Sequence, residues 1–276
     1  MIAFHSENPP GLHEIVARLA QNHFALKKNF FMVIVGRPGS GKSYTALKFA
    51  ETIEPDFSPG KQIAYFPEQF QSVMDYVREH KKKVIIFDEA HVTLSSRKWF
   101  SATNVALNNI MTTFRQLHRL AVFFVTPYQN FVDKQLRGLF DYYCIVEKTM
   151  TESNETLVFG MLYQIKTNLF DLKDQTPYLQ KVRILWNGQV YVVGEMKIDL
   201  PSERVINEYE NQSMKFKSDV LRKALETIVG KDNLVKKVQE EINKGGENVG
   251  ELPKRRKRSS GNTDGVNRGL EPQQTG

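Results

Sequence analysis

The stretch Gly36-Arg37-Pro38-Gly39-Ser40-Gly41-Lys42-Ser43 constrains this chain more than any other feature. It matches G-x-x-x-x-G-K-[ST] in full. It follows the apolar run Phe31 to Val35 and precedes a helix-forming run from Tyr44 to Ala50. The order strand, tight loop, helix is therefore required. The glycines let the backbone curl so that its N–H groups point inward at an anion. The helix that begins at Lys42–Ser43 adds its N-terminal dipole. In such a loop the lysine reaches the β- and γ-phosphates, and the serine hydroxyl takes a place on Mg²⁺. The expected nucleotide-binding residues are Gly36, Arg37, Pro38, Gly39, Ser40, Gly41, Lys42, Ser43 and Tyr44, with ATP and Mg²⁺ as the ligands. The bland alternative is a Gly-rich turn with a solvated lysine. The strand–loop–helix context disfavours it.

A second motif turns binding towards hydrolysis. Lys83-Val84-Ile85-Ile86-Phe87-Asp88-Glu89 is a short apolar run ending in two carboxylates. A buried parallel strand reads this way. In P-loop enzymes such a strand ends in an aspartate that orders the Mg²⁺ shell, here Asp88, so Ser43 and Asp88 are the metal candidates. The next glutamate, Glu89, can take a proton from the attacking water. With Lys42, it is the first catalytic candidate. The competing reading is a strand followed by an acidic helix start, with Glu89 merely favouring the N-terminus.

The chain has 276 residues, of which 41% are hydrophobic, enough to bury a full core. Its net charge of +7 is compatible with a polyanionic partner and equally with solubility charge. The one cysteine, Cys144, lies in the apolar run Tyr142 to Val146 and reads as a core residue. No disulfide framework can form within the chain, and no clustered His/Cys set suggests zinc. No apolar run approaches a membrane span, and no signal peptide is evident. The chain is expected to be intracellular and soluble.

Hydrophobic periodicity orders the rest. Leu12, Ile15, Val16 and Leu19 predict a helix after Pro9-Pro10. Strands are expected near 29–35, 62–66, 83–88, 120–125 and 142–146, with helices between them at 42–53, 67–80, 103–119 and 132–139. Residues 55–60 read as loop. That alternation is an α/β chain with a parallel sheet covered on both faces. An extra strand between the loop strand and the acidic strand would make it RecA-like. After residue 150 the pattern changes. Thr156–Ile165, Leu179–Trp186 and Gln189–Ile198 read as strands, and Asn187-Gly188 is a hairpin signal. They suggest a β-hairpin extension at the sheet edge. Pro201-Ser202-Glu203 opens C-terminal helices. The expected division is 1–200 for the P-loop domain, with its β extension from about 150, then helices over 201–244 and a disordered basic tail over 245–276. That tail contains Lys254-Arg255-Arg256-Lys257-Arg258.

These motifs, together with Ser96-Arg97-Lys98-Trp99, Thr113-Phe114-Arg115, Thr126-Pro127-Tyr128-Gln129, Asp133 to Arg137 and Leu200-Pro201-Ser202-Glu203 with Tyr209-Glu210, resemble ATPases of archaeal viruses and plasmids in the FtsK–HerA superfamily of DNA-pumping motors. They are also similar to the ATPase domain of zonula-occludens-toxin-like phage assembly proteins. The resemblance covers about residues 28–215. It implies a RecA-like P-loop NTPase core, a homo-oligomer, usually a hexamer, and double-stranded DNA as partner, with a capsid or conjugation partner besides. It implies a polar sensor after the acidic strand, with Gln129 the best match and Thr126 second. It also implies an arginine that reaches a neighbour's γ-phosphate, for which Arg115, Arg119 and Arg137 are candidates. The chain departs from large DNA translocases in lacking long insertions and a winged-helix module. It lacks the membrane span usual in the toxin-like branch.

The reading is then a motor ATPase that translocates or packages double-stranded DNA for a virus or mobile element. The alternatives are an AAA-type regulator or loader, or a nucleotide-gated virion assembly factor that moves no DNA. Asp88-Glu89-Ala90-His91 also suggests a DEAD/DEAH-type helicase, but the residues after 150 do not read as the second RecA-like domain such a helicase needs.

Overall fold

The computed structural model describes residues 2–65, 69–88, 119–127, 140–150, 156–166, 177–219, 221, 222 and 225. The expected helices near 103–119 and 132–139 lie outside the described residues, apart from Arg119. So do the expected helix beyond 229 and the tail. The chain divides into two compact units, Met1–Asp219 and Val220–Gly276. Among the described residues no helix is long and apolar enough to cross a membrane.

The elements in chain order are β1 (Ile2–Phe4), α1 (Leu12–Ala25), β2 (Phe30–Val35), α2 (Lys42–Ile53), α3 (Pro59–Gln62), β3 (Ile63–Ala64), α4 (Phe70–Glu79), β4 (Val84–Phe87) and β5 (Ala121–Thr126). Then come β6 (Tyr142–Met150), β7 (Thr156–Lys166), β8 (Tyr178–Lys181), β9 (Arg183–Trp186), β10 (Gln189–Val192) and β11 (Glu195–Lys197). A last helix, α5, spans 203–219.

The main sheet has the order β11-β7-β6-β2-β5-β4-β3, and β8 also pairs with β7. From β6 to β3 every pairing is parallel. β5 lies between β2, which leads into the glycine loop, and β4, which ends at Asp88. This is the RecA-like order, and it explains the sequence of β2 and β5. Strands covered on both faces read as unbroken apolar runs. All six residues of β5 are buried. On one face Val33, Val35, Ile85, Val122 and Phe124 meet Val73 and Val77 of α4. On the other, Phe49 of α2 stands against Phe123, which also meets Phe30. α1 starts where Gly11 donates its N–H to Glu14 at 2.7 Å, and it buries Leu12, Ile15, Val16 and Leu19 as their spacing predicts.

Beyond β6 the sheet turns antiparallel. β7 pairs with β6 over nine residues, and its outer edge carries β8 and β11. The hairpin at Asn187-Gly188 forms, with φ of 47° and 82° as such turns require. It does not join the main sheet. β9 and β10 make a small sheet with β1, which pairs parallel to β9. Two expected strands are therefore split. The run 179–186 breaks at buried Val182, and its halves serve different sheets. The run 189–198 breaks around Val193-Gly194 in the same way. Of the stretch read as loop over 55–60, residues 55–58 are non-helical as expected, and Pro59-Gly60 open the short helix α3.

α5 lies along α2 and α3. Val205, Tyr209, Ser213 and Phe216 are its buried stripe, at helical spacing. The Glu208 carboxylate accepts from the Ser58 hydroxyl and from the Gly60 N–H at 2.9 Å. Arg204 donates to the carbonyls of Phe57 and Pro55, at 3.0 and 3.1 Å. Phe216 stacks on Tyr65, with ring centroids 4.6 Å apart.

Candidate nucleotide and metal site

The glycine loop leaves the C-terminal end of β2 and enters α2 directly. Gly39 and Gly41 have φ of 79° and 92°, which side chains resist. A methyl group on Gly36 would stand 2.3 Å from the Val146 carbonyl oxygen and 2.6 Å from Ser40 Oγ. These positions accept glycine alone. α2 then begins at Lys42 with no side-chain cap and no acidic residue in its first turn. Its first N–H groups and its positive dipole end are presented to whatever the loop encloses. Two buried hydroxyls, Ser40 Oγ and Thr126 Oγ1, find no partner among the described residues. Unmet buried hydroxyls at a loop of this geometry suit a polar ligand. A cavity of about 660 Å³ opens beside residues 36–40, bounded across the way by Tyr143 and the end of β6.

The second strand motif meets this loop in space. Ser43 donates its hydroxyl to Asp88 Oδ1 at 3.1 Å, although 45 residues separate them. Asp88 is 1% exposed, and its N–H donates to the Ala64 carbonyl at 3.1 Å. Lys42 donates to the Arg37 carbonyl at 2.9 Å, so its ammonium lies back over its own loop. A hydroxyl and a carboxylate side by side are hard oxygen donors of the kind Mg²⁺ takes. Among the described residues there is no group of three or more His, Cys, Asp or Glu that could form a complete metal cage. Mg²⁺ does not need one, because it keeps waters and shares substrate phosphates. The residues present fit that ion.

One contact at this site comes from outside the phosphate loop and the acidic strand. Tyr209 of α5 donates its hydroxyl to Asp88 Oδ2 at 2.7 Å, across 121 residues. The phenol is buried, and burial together with the nearby carboxylate raises its pKa far above the ordinary tyrosine value. It is a neutral donor at physiological pH. Its neighbour Glu210 accepts from Tyr44, the residue after Ser43, at 2.7 Å. Burial, and then this bond, push the Tyr44 phenol up to about 12. Sequence reasoning missed the role of Tyr209. It named Tyr209 only with Glu210, as part of the resemblance, and gave it no role.

The remaining candidates separate. Thr126, at the end of β5, sits beside Val35 of β2. Arg119 is exposed and precedes β5 at its other end, so the strand's length of roughly 20 Å lies between it and Thr126. Glu89, Arg115, Gln129 and Arg137 lie outside the described residues.

Residues 32–148, less than half of the chain, match the family described as ATPase family associated with various cellular activities (AAA). Among curated proteins none matches. A KaiC-like protein from Pyrococcus horikoshii is similar at 9% identity and a TM-score of 0.36, over 55% of this chain and 89% of that one. The flagellar accessory protein FlaH from Methanocaldococcus jannaschii is similar at 12% identity and a TM-score of 0.30, over 62% of this chain and 89% of that one. At those scores neither likeness carries an argument. The strand order, the glycine cradle and the family match carry it: the chain is an ATPase with the fold of the P-loop NTPases.

Proposed function

We propose that this ATPase hydrolyses ATP with Mg²⁺ and uses the turnover to translocate or package double-stranded DNA as a homo-oligomeric ring. The observation that carries the hydrolytic part is the 3.1 Å contact between Ser43 and Asp88, at the ends of elements that β5 holds in register. Ser43 and Asp88 hold Mg²⁺, which when bound supplies Lewis-acid stabilisation of charge on the phosphates. The loop N–H groups and the α2 N-terminus bind the phosphate chain. Lys42 leaves the Arg37 carbonyl to reach the β- and γ-phosphates. Glu89, next in the chain to Asp88, takes the proton of the attacking water. Thr126 and Gln129 sense the γ-phosphate end of the site. Arg115 or Arg137 completes a neighbour's site.

Two features of the sequence support DNA as the partner. The net charge is +7, and Lys254 to Arg258 place five cations in a row. Such a segment binds phosphates without reading bases. A second reading, an AAA-type regulator or loader that moves no DNA, is favoured by the match over residues 32–148. The deciding experiment measures ATP turnover with and without double-stranded DNA, with particle size followed by light scattering. The motor reading expects DNA-stimulated turnover by a ring-sized particle, and displacement of a DNA triplex. Turnover indifferent to DNA, or stimulated without triplex displacement, rejects it in favour of the regulator.

A further inference from the structure

We propose that Tyr209 is a positioning residue for the metal site, holding the Asp88 carboxylate in the rotation that presents Oδ1 to Mg²⁺. This rests on the ATP and Mg²⁺ reading above and adds to it a residue from outside both motifs. The geometry is specific. Ser43 donates to Oδ1 of Asp88 at 3.1 Å and Tyr209 to Oδ2 at 2.7 Å, and the Tyr209 and Ser43 hydroxyls also meet each other. Ser43 and Asp88 would hold Mg²⁺ together, and an oxygen of Ser43 given to the ion would leave Oδ1 without that donor. Oδ2 keeps Tyr209, which fixes the carboxylate in both states. A donor behind a metal-facing carboxylate sets its orientation, and losing such a partner commonly costs 10–100-fold in metal affinity or activity.

The donor is itself held. Tyr209 is 5% exposed and meets the Tyr44 ring edge-on, at a centroid distance of 6.2 Å. Glu208 and Glu210, its neighbours on either side, are anchored to Ser58, Gly60 and Tyr44. Ser202, at the mouth of the helix, bonds Glu51 of α2. A hydroxyl fixed by that many contacts is preorganised.

The test uses the full chain and Tyr209→Phe, which removes the hydroxyl and keeps the ring. Binding of ADP is measured with a chelator and across a Mg²⁺ titration. The expected result is an ADP affinity without Mg²⁺ close to wild type, with the Mg²⁺ concentration at half-saturation raised about tenfold. An unchanged or lowered half-saturation overturns the proposal. So does an equal weakening with and without Mg²⁺, because that is what loss of packing produces. A wild-type protein whose ADP binding ignores Mg²⁺ would instead overturn the underlying ATP and Mg²⁺ reading. If Tyr209→Phe does not fold, 3-fluorotyrosine placed at position 209 gives the answer with the hydroxyl kept. Its ¹⁹F resonance in the ADP-bound protein should shift with Mg²⁺ at the same half-saturation as binding. A resonance indifferent to Mg²⁺ overturns the proposal.

Discussion

The two hydroxyls that meet on Asp88 come from opposite kinds of place. Ser43 belongs to the glycine cradle, where eight consecutive residues carry the whole design and α2 follows without a break. Tyr209 belongs to α5, which reaches the same carboxylate through scattered contacts with residues 121 to 166 positions away. The cradle is held by backbone geometry, in the positive φ of Gly39 and Gly41 and the closeness of Gly36 to Val146. The clamp is held by side chains. A site can therefore be specified half by local conformation, which a short motif encodes, and half by tertiary packing, which no short motif encodes.

The largest expected effect lies in the cradle. Lys42→Ala should abolish ATP turnover and weaken nucleotide binding, because a point charge on the β- and γ-phosphates is lost. Wild-type turnover by a folded Lys42→Ala protein would break the comparison at its stronger half.

The acidic pair sharpens it. Glu89→Gln should keep ATP binding and slow hydrolysis by roughly 10²–10⁴-fold, as loss of a general base does. Asp88→Asn should act on Mg²⁺-dependent binding, because it removes a charge from the metal's shell. It also leaves the Tyr209 and Ser43 hydroxyls a poorer acceptor. Normal hydrolysis by Glu89→Gln beside a dead Asp88→Asn would reverse the two roles.

What could be read in advance follows the same division. β2 and β4 announce themselves because burial leaves no polar position to confuse the pattern, whereas β6 runs on past the apolar 142–146 into exposed Glu147, Lys148 and Thr149. The strand–loop–helix at residues 36–43 and its approach to Asp88 were to be expected because phosphate chemistry fixes such residue types and spacing. β1 was not, since Ile2–Phe4 is too short to show a period and is a strand only because β9 lies beside it. The breaks at Val182 and at Val193-Gly194 were not, because a chain that changes sheets keeps its strand propensity. The resemblance picked out Tyr209 with Glu210, but not its role, because a tyrosine on a helix looks the same whether its hydroxyl meets a carboxylate or nothing. Only the fold supplies the partner.

The clamp's own strength is tested at Glu208, whose carboxylate takes the Ser58 hydroxyl and the Gly60 N–H. Glu208→Ala leaves both donors unmet in a half-buried place, a loss of about 1–3 kcal/mol. For a unit of this size each kcal/mol is about 2–4 °C in midpoint. Thermal unfolding should show that drop. ATP turnover well below the new midpoint should stay near wild type, since Arg204, Ser202 and Phe216 still hold the helix. A collapse of turnover at a temperature where the variant is folded would mean that cradle and clamp are one cooperative device.

The smallest effect belongs to Tyr44, where cradle and clamp touch. Its hydroxyl donates to Glu210 at 2.7 Å, and its pKa is pushed from the ordinary 10.0 up to about 12 by burial and by that bond. A phenol whose folded pKa is raised stabilises the fold below its unfolded pKa, and the contribution is lost as pH rises through the folded one. The docking of α5 on α2 should thus weaken between about pH 10 and 12, when Tyr44 ionises and faces the Glu210 carboxylate as a like charge. Tyr44→Phe removes the bond at every pH, so at pH 8 its midpoint should lie a few degrees lower, in line with about 1 kcal/mol for one exchanged hydrogen bond. The gap between variant and wild type should then narrow as the pH passes 11. Thermal melts of both proteins from pH 8 to 12 give the answer. A gap that stays constant over that range would show that the Tyr44–Glu210 bond does not contribute to docking, and would leave the clamp to Glu208, Arg204 and Tyr209.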